Sequence, residues 1–264
     1  MYEDSVSNAV SVAVRKRNFL RANPAGYFIS SMLAGLYIGL GIVLIYAIGS
    51  PLKSAGHPAL KLVMGASFGI ALTLVVFAGS ELFTGNTMYM TLGWLRRAVS
   101  FGDLLRVWLV SWLGNLAGSL ALAAAVVYAG SLAHADLLVH AIASAKMGAP
   151  ASVLFVSGLL CNILVCLALW TSGRTGSDAA KILLICLCLF AFIGSGFEHS
   201  VANMSLLGVG VLAKVGVDVS WSGLFYNLLW VSLGNIVGGA VVLAGSYHLI
   251  AERSDPIPDK GNSK

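Results

Sequence analysis

The chain has 264 residues, is 58% hydrophobic and only 10% charged, and has a mean hydropathy of +0.88. A soluble globular chain carries about 25% charged residues, so a soluble enzyme or nucleic-acid-binding domain is excluded and an integral membrane protein is expected. The apolar runs far exceed the roughly ten-residue alternating strands of a membrane β-barrel, which leaves an all-α integral membrane fold. The net charge of +5 lies at the edges of the apolar runs, and no basic patch is interleaved with aromatics, so no nucleic acid is expected as a partner.

Residues 1–26 read as a cytoplasmic amphipathic N-terminal segment. Glu3 and Asp4 precede Arg15-Lys16-Arg17 with no apolar core before them, which is not the pattern of a cleavable signal peptide. Val6, Val10 and Val14 recur at helical spacing, as in a helix lying on the membrane surface. Residues 27–250 form the membrane domain, and 251–264 a cytoplasmic polar tail.

Within the membrane domain six spans are expected, each near the roughly 20 residues needed to cross: 27–48, 60–95, 105–129, 150–170, 182–213 and 224–250. The second and fifth are interrupted. All six prolines lie at span edges or in tails, so glycine and polar residues make these breaks. Twelve of the sixteen Lys and Arg residues fall on one side: Arg15, Lys16, Arg17, Arg21, Arg96, Arg97, Arg106, Arg174, Lys181, Arg253, Lys260 and Lys264. Lys53, Lys61, Lys146 and Lys214 fall on the other. The positive-inside rule then places both termini in the cytoplasm. Trp94, Trp108, Trp170 and Trp221 lie near span ends, as an aromatic belt requires. The four cysteines, Cys161, Cys166, Cys186 and Cys188, read as small buried hydrophobes. No disulfide framework, metal site or cofactor is suggested.

The two interrupted spans carry titratable groups inside apolar sequence: Gly79-Ser80-Glu81-Leu82-Phe83-Thr84-Gly85-Asn86-Thr87 and Gly194-Ser195-Gly196-Phe197-Glu198-His199-Ser200. Such groups are costly at bilayer depth and face a cavity. Gly79-Ser80-Glu81 recurs 115 residues on as Gly194-Ser195-Gly196, and Leu113-Gly114-Asn115 recurs 120 on as Leu233-Gly234-Asn235. Three spans per half make this an inverted 3+3 repeat, which places the site near the midplane. A second half-helix would start near Asn86–Met88 and near Ser200–Val201, with Thr84, Asn86 and Ser200 as caps. Two helix N-termini meeting there would attract an anion. Glu81 and Glu198 read as braces that hold the loops by accepting backbone N–H bonds, and His199 as a working residue. Phe68, Leu72 and Phe192 read from spacing alone as ordinary packing. Gly35/Gly39, Gly65/Gly69, Gly114/Gly118 and Gly234/Gly238 let helices approach closely.

The two broken segments resemble the signature loops of the formate/nitrite transporter family, and the resemblance runs through all six spans. The first loop, Ser80-Glu81-Leu82-Phe83-Thr84-Gly85, is more similar to the family's bacterial nitrite channels than to its formate channels. The resemblance implies an aquaporin-like protomer, a homopentamer with one pore per protomer, and a place in the bacterial inner membrane. It implies Thr84 and His199 at the pore centre, Lys146 at the periplasmic vestibule, and Asn162 and Val165 as pore residues of the fourth span. It turns Phe68, Leu72 and Phe192 into constriction residues and Glu198 into support for the second loop. Asn86 and Asn203 join Glu81 and Glu198 as loop support, and the cargo that the resemblance implies is a small monovalent anion, nitrite first, with formate or hydrosulfide as alternatives and protonation assisted at His199. A water or polyol channel would need paired Asn-Pro-Ala loops, which are absent. An intramembrane enzyme would need a nucleophile–base or metal constellation beyond Glu198-His199, so no enzyme is expected.

Overall fold

The computed structural model describes residues 2–252, so most of the tail predicted over 251–264 lies outside the described residues. Helix α1 (Tyr2–Ala22) precedes α2 (Pro24–Ser54), which starts with Asn23 accepting from Gly26 N and with Pro24 at its first position, where a missing N–H costs nothing. The first interrupted span consists of α3 (Leu60–Ser67), α4 (Gly69–Leu74) and a π-turn over Val75–Gly79. After a break, α5 (Phe83–Leu95) follows. Helix α6 (Phe101–Tyr128) opens on a reciprocal capping box between Ser100 and Asp103.

The second half repeats the scheme. Helix α7 (Asp136–Met147) precedes α8 (Ala151–Ser172), then α9 (Asp178–Ser195), a break, α10 (Ser200–Ala213) and α11 (Trp221–Ile236). Helix α11 runs on through a π-helical stretch, Val237–Gly245, into α12 (Ser246–Glu252). No strand is present among the described residues, and six helical spans are long and apolar enough to cross a membrane. The first span extends beyond the predicted one at both ends, and α2 continues past its apolar run to enclose Pro51, whereas the second and fifth stop at their breaks.

Two elements differ from the sequence reading. Helix α7 lies between the third and fourth predicted spans, where no element is predicted. Helix α1 is amphipathic, but its apolar face packs on protein: Val6, Ala9 and Ala13 are buried, with Ala13 against Gly93 of α5. Tyr2 packs on Tyr247 of α12, which puts both ends of the described chain on one face, here called the N-terminal face.

The halves are held by the closest helix pairs, α2 with α6 and α8 with α11. Gly118 lies on the Met32 carbonyl and Gly238 on the Leu159 carbonyl, where any Cβ would collide with backbone. Without a hydrophobic drive between helices in lipid, such close contact supplies the packing that holds them.

Candidate functional site

Both breaks are made the same way. Gly79 (φ 78°) ends the first descending segment, and Gly196 (φ 74°) ends α9. Only glycine adopts this left-handed conformation without strain. A break exposes backbone groups that must find partners inside the protein, and one asparagine in each half supplies them. Asn115 Oδ1 accepts from Phe83 N at 2.9 Å, and its Nδ2 donates to the carbonyls of Ser31 and Glu81. Asn235 Oδ1 accepts from Ser200 N at 3.0 Å, and its Nδ2 donates to the carbonyls of Gly158 and Glu198. Both asparagines are fully buried. They stand in the repeated strings Leu113-Gly114-Asn115 and Leu233-Gly234-Asn235, which mark the inverted repeat in the sequence without revealing this bracing role.

The glutamates brace the loops, but through side chains rather than backbone N–H groups. Glu81 Oε2 accepts from Lys16 Nζ at 2.7 Å, Tyr27 OH at 2.8 Å and Asn86 Nδ2 at 3.3 Å. Glu198 accepts from Lys146 Nζ at 2.7 Å through Oε1 and from Asn203 Nδ2 at 2.6 Å through Oε2. Asn203 also donates to Asn227, whose amide donates to the Lys146 carbonyl. These partners correct the register of the repeat. Gly79 corresponds to Gly196, Glu81 to Glu198 and Asn86 to Asn203, an offset two residues longer than the 115 read from the glycine strings. Helix α1 with Lys16 corresponds to α7 with Lys146, so each half contains an extra helix that pins its loop.

The corrected register makes Leu82 the counterpart of His199. Each is the N-cap residue of its half-helix, α5 starting at Phe83 and α10 at Ser200. Thr84, Asn86 and Ser200 are therefore not caps, and the Ser200 hydroxyl has no partner among the described residues. Leucine offers no capping oxygen or nitrogen. His199 does, and its Nδ1 accepts from Ala202 N at 3.0 Å. That bond leaves Nδ1 unprotonated, so the neutral ring carries its proton on Nε2. Nε2 lies 3.0 Å from Thr84 Oγ1, across the junction of the two half-helices.

Two cavities adjoin this junction, and a third lies beneath α1. Facing away from the N-terminal face, a vestibule of about 400 Å³ is lined by Lys53, Lys61, Lys146, Phe192, Glu198 and His199, among others. Beyond it, a cavity of about 10 Å³ is closed by Phe68, Leu72, Val165, Phe192 and His199, with Ile38 and Leu189. Phe192 meets Phe68 edge-on at 5.7 Å and stacks on His199 at 5.9 Å. Leu169, one turn past Val165 on α8, lines a third cavity of about 250 Å³ beneath α1 with Arg15, Tyr89 and Arg174.

The structure brings His199, Thr84, Phe68, Leu72, Phe192 and Val165 together at the junction, with Phe68, Leu72 and Phe192 around one small cavity. It places two others differently. Asn162 lines none of these cavities. Its Nδ2 donates to the carbonyls of Thr84 and Asn235 and to Thr87 Oγ1. The Asn235 carbonyl is available because α11 turns π-helical there and loosens its own ladder. Lys146 faces the vestibule, but its charge is balanced by Glu198. Lys53 and Lys61 carry the unbalanced charge at that mouth, with no ion pair among the described residues. They sit at the ends of apolar runs, and sequence alone counted them only for orientation. Among the described residues no group of His, Cys, Asp or Glu is arranged to hold a metal ion.

Comparison with known proteins agrees with this architecture. The family model described as Formate/nitrite transporter matches residues 3–249. The nitrite transporter NirC of Escherichia coli K12 is 44% identical, covering 99% of this chain and 97% of its own. The formate channel FocA of Haemophilus influenzae is 34% identical, covering 91% and 89%. A solved structure of an FNT family ion channel superposes with a TM-score of 0.86 at 44% identity, covering 94% of this chain and 98% of that one. A pentameric formate channel with formate bound gives a TM-score of 0.73 at 29% identity, covering 86% and 97%. The chain belongs to the formate/nitrite transporter family.

Proposed function

We propose that this protein is a channel of the bacterial cytoplasmic membrane that passes small monovalent anions, nitrite first and formate or hydrosulfide by the same route. It works as a homopentamer with one pore per protomer and both termini in the cytoplasm, and it transports rather than catalyses. The similarity to NirC and FocA supports the substrate class, and the pentameric formate channel supports the assembly. The observation that carries the reading is the junction itself. A hydrogen-bonding pair, His199 and Thr84, adjoins an apolar chamber that is otherwise closed by Phe68, Leu72, Val165 and Phe192.

The route follows from the chemistry of each stretch. Lys53 and Lys61 raise the local concentration of anions at the vestibule, and Lys146 turns from Glu198 to the ion as it descends. A bare charge entering the chamber between the phenyl rings loses its water without replacement, which is strongly disfavoured. A proton taken up on the way converts nitrite to its neutral acid and removes that cost. His199 is neutral in this arrangement, because a second ring proton on Nδ1 would break the cap on Ala202 N. It therefore acts as a hydrogen-bond donor through Nε2, shared with Thr84, while water in the vestibule delivers the proton.

The test is flux into liposomes carrying the His199→Phe variant. Nitrite flux is expected to fall at least about tenfold, the scale of about 1.4 kcal/mol for one lost buried hydrogen bond. Wild-type flux with wild-type pH dependence would remove His199 from the mechanism.

A further inference from the structure

On the N-terminal face, away from the pore, three arginines converge on one open hollow of about 490 Å³. Arg17 and Arg21 come from α1, and Arg97 comes from the turn between α5 and α6; Trp94, Ser100, Phe101 and Asp103 complete it. Two of the arginines are fixed from behind. Arg17 Nη1 donates to the Ala98 carbonyl, and its other nitrogens hold Asn18. Arg21 reaches Asp103 Oδ1 at 2.7 Å while its side chain stays 60% exposed. Arg97 is exposed, its guanidinium has no hydrogen bond or ion pair among the described residues, and its backbone, with N–H donating to the Trp94 carbonyl, is held in the left-handed conformation at φ 57°. With Asp103 as the only carboxylate among the described residues that line the hollow, their formal charge is about two positive.

This hollow sits at the end of the membrane-crossing surface. Trp94 and Phe101 are both exposed and pack on each other at 5.4 Å, as aromatics do at the boundary between headgroups and acyl chains. From Phe101 an exposed apolar stripe runs along α6 through Leu105, Leu109 and Leu113, one residue per turn. A cationic hollow above an aromatic pair above an apolar stripe is complementary to one molecule lying lengthwise: a phosphate head, a glycerol level and an acyl chain.

We propose that the hollow formed by Arg17, Arg21 and Arg97 is a binding site for an anionic glycerophospholipid, with its phosphate on the arginines and an acyl chain along Phe101, Leu105 and Leu109. Basic pockets at the cytoplasmic ends of membrane helices recognise headgroups by this charge pattern. Arg97 supplies the unengaged guanidinium, and Arg17 and Arg21 are preorganised donors. Because α1 contributes two of the three arginines and also holds Glu81 through Lys16, lipid in this site ties α1 to the channel body.

Native mass spectrometry and thermal unfolding of the full chain in mild detergent test this. Phosphatidylglycerol, phosphatidylcholine of the same acyl chains and inorganic phosphate are added separately. Phosphatidylglycerol is expected to stay bound and raise Tm, whereas phosphatidylcholine and inorganic phosphate do neither. Arg97→Asn removes the charge and keeps a residue that tolerates positive φ. It should weaken phosphatidylglycerol binding about fivefold, the scale of one arginine at an anionic surface. Arg97→Asn with Arg17→Gln should weaken it further, with Tm in phosphatidylcholine unchanged. Equal retention of both lipids, or unchanged retention by the double variant, overturns the proposal. Binding of phosphate alone would assign the hollow to a free anion. Loss of oligomer without loss of lipid in Arg97→Asn would make it a protomer contact; either result also overturns it.

Discussion

Asn115 and Asn235 show how a single buried side chain makes an interrupted membrane helix tolerable. Each satisfies two backbone groups that its break would otherwise leave bare and ties them to a carbonyl of a neighbouring helix, Ser31 of α2 or Gly158 of α8. A buried backbone group left without a partner costs about 1–3 kcal/mol. Asn235→Ala should therefore lower the unfolding temperature in detergent by several degrees, and Asn115→Ala should do the same; a Tm within a degree of wild type for either would show that the loops hold themselves. The vestibule lysines make a separate prediction. Lys53→Ala with Lys61→Ala should raise the nitrite concentration for half-maximal flux about threefold and flatten its salt dependence, while leaving maximal flux unchanged. The titratable residues stranded in apolar sequence pointed to Glu81, Glu198 and His199, because the cost of burying them is readable from composition alone. Their partners were not readable. Lys16 and Tyr27 lie far from Glu81 in sequence, and nothing local marks Lys146 as paired with Glu198.

At the level of elements, the small residues spaced by four on α6 and α11 set how near α2 and α8 can come. Gly118→Leu or Gly238→Leu should abolish folded protein, because the new side chain meets a backbone carbonyl. Gly194→Ala, which points into open space, should unfold within a degree or two of wild type. The turn after α10 offers a pH test outside the membrane. The Ser144 hydroxyl and the His140 ring beside Asp218 hold its carboxyl down at about 2, against an ordinary 3.8. Its folded value is depressed, so its contribution is present above the ordinary carboxylate range and is lost as pH falls through about 2. Ser144→Ala should move the Asp218 carboxyl titration, read by carbon-13 NMR, back toward the ordinary value. The six spans were legible in the sequence because long apolar runs have few alternatives. Helix α7 was not, since its twelve residues mix polar and apolar groups. The π-helical stretch of α11 was hidden too, because it answers to Thr87 and Asn162 on other helices.

Across the whole molecule, two inverted halves place two half-helix N-termini against each other, and the sequence then breaks the symmetry at one point. His199 stands where the other half has Leu82, and Thr84 reaches it from the leucine side. The inverted repeat was visible as two short strings, but its true register required the paired glutamates. Mild-detergent mass spectrometry is expected to show five copies of the chain, and a fluorescent protein fused to either terminus should fluoresce in the bacterial cytoplasm. The central claim is that anions cross the apolar chamber as neutral acids. Purified protein in liposomes, offered nitrite, formate, hydrosulfide and chloride at two pH values, tests it most directly. Nitrite flux should rise in proportion to proton concentration, formate and hydrosulfide should pass by the same route, and chloride should be held back at both pH values. Chloride passing as readily as nitrite would contradict it, because chloride takes up no proton in water at such pH.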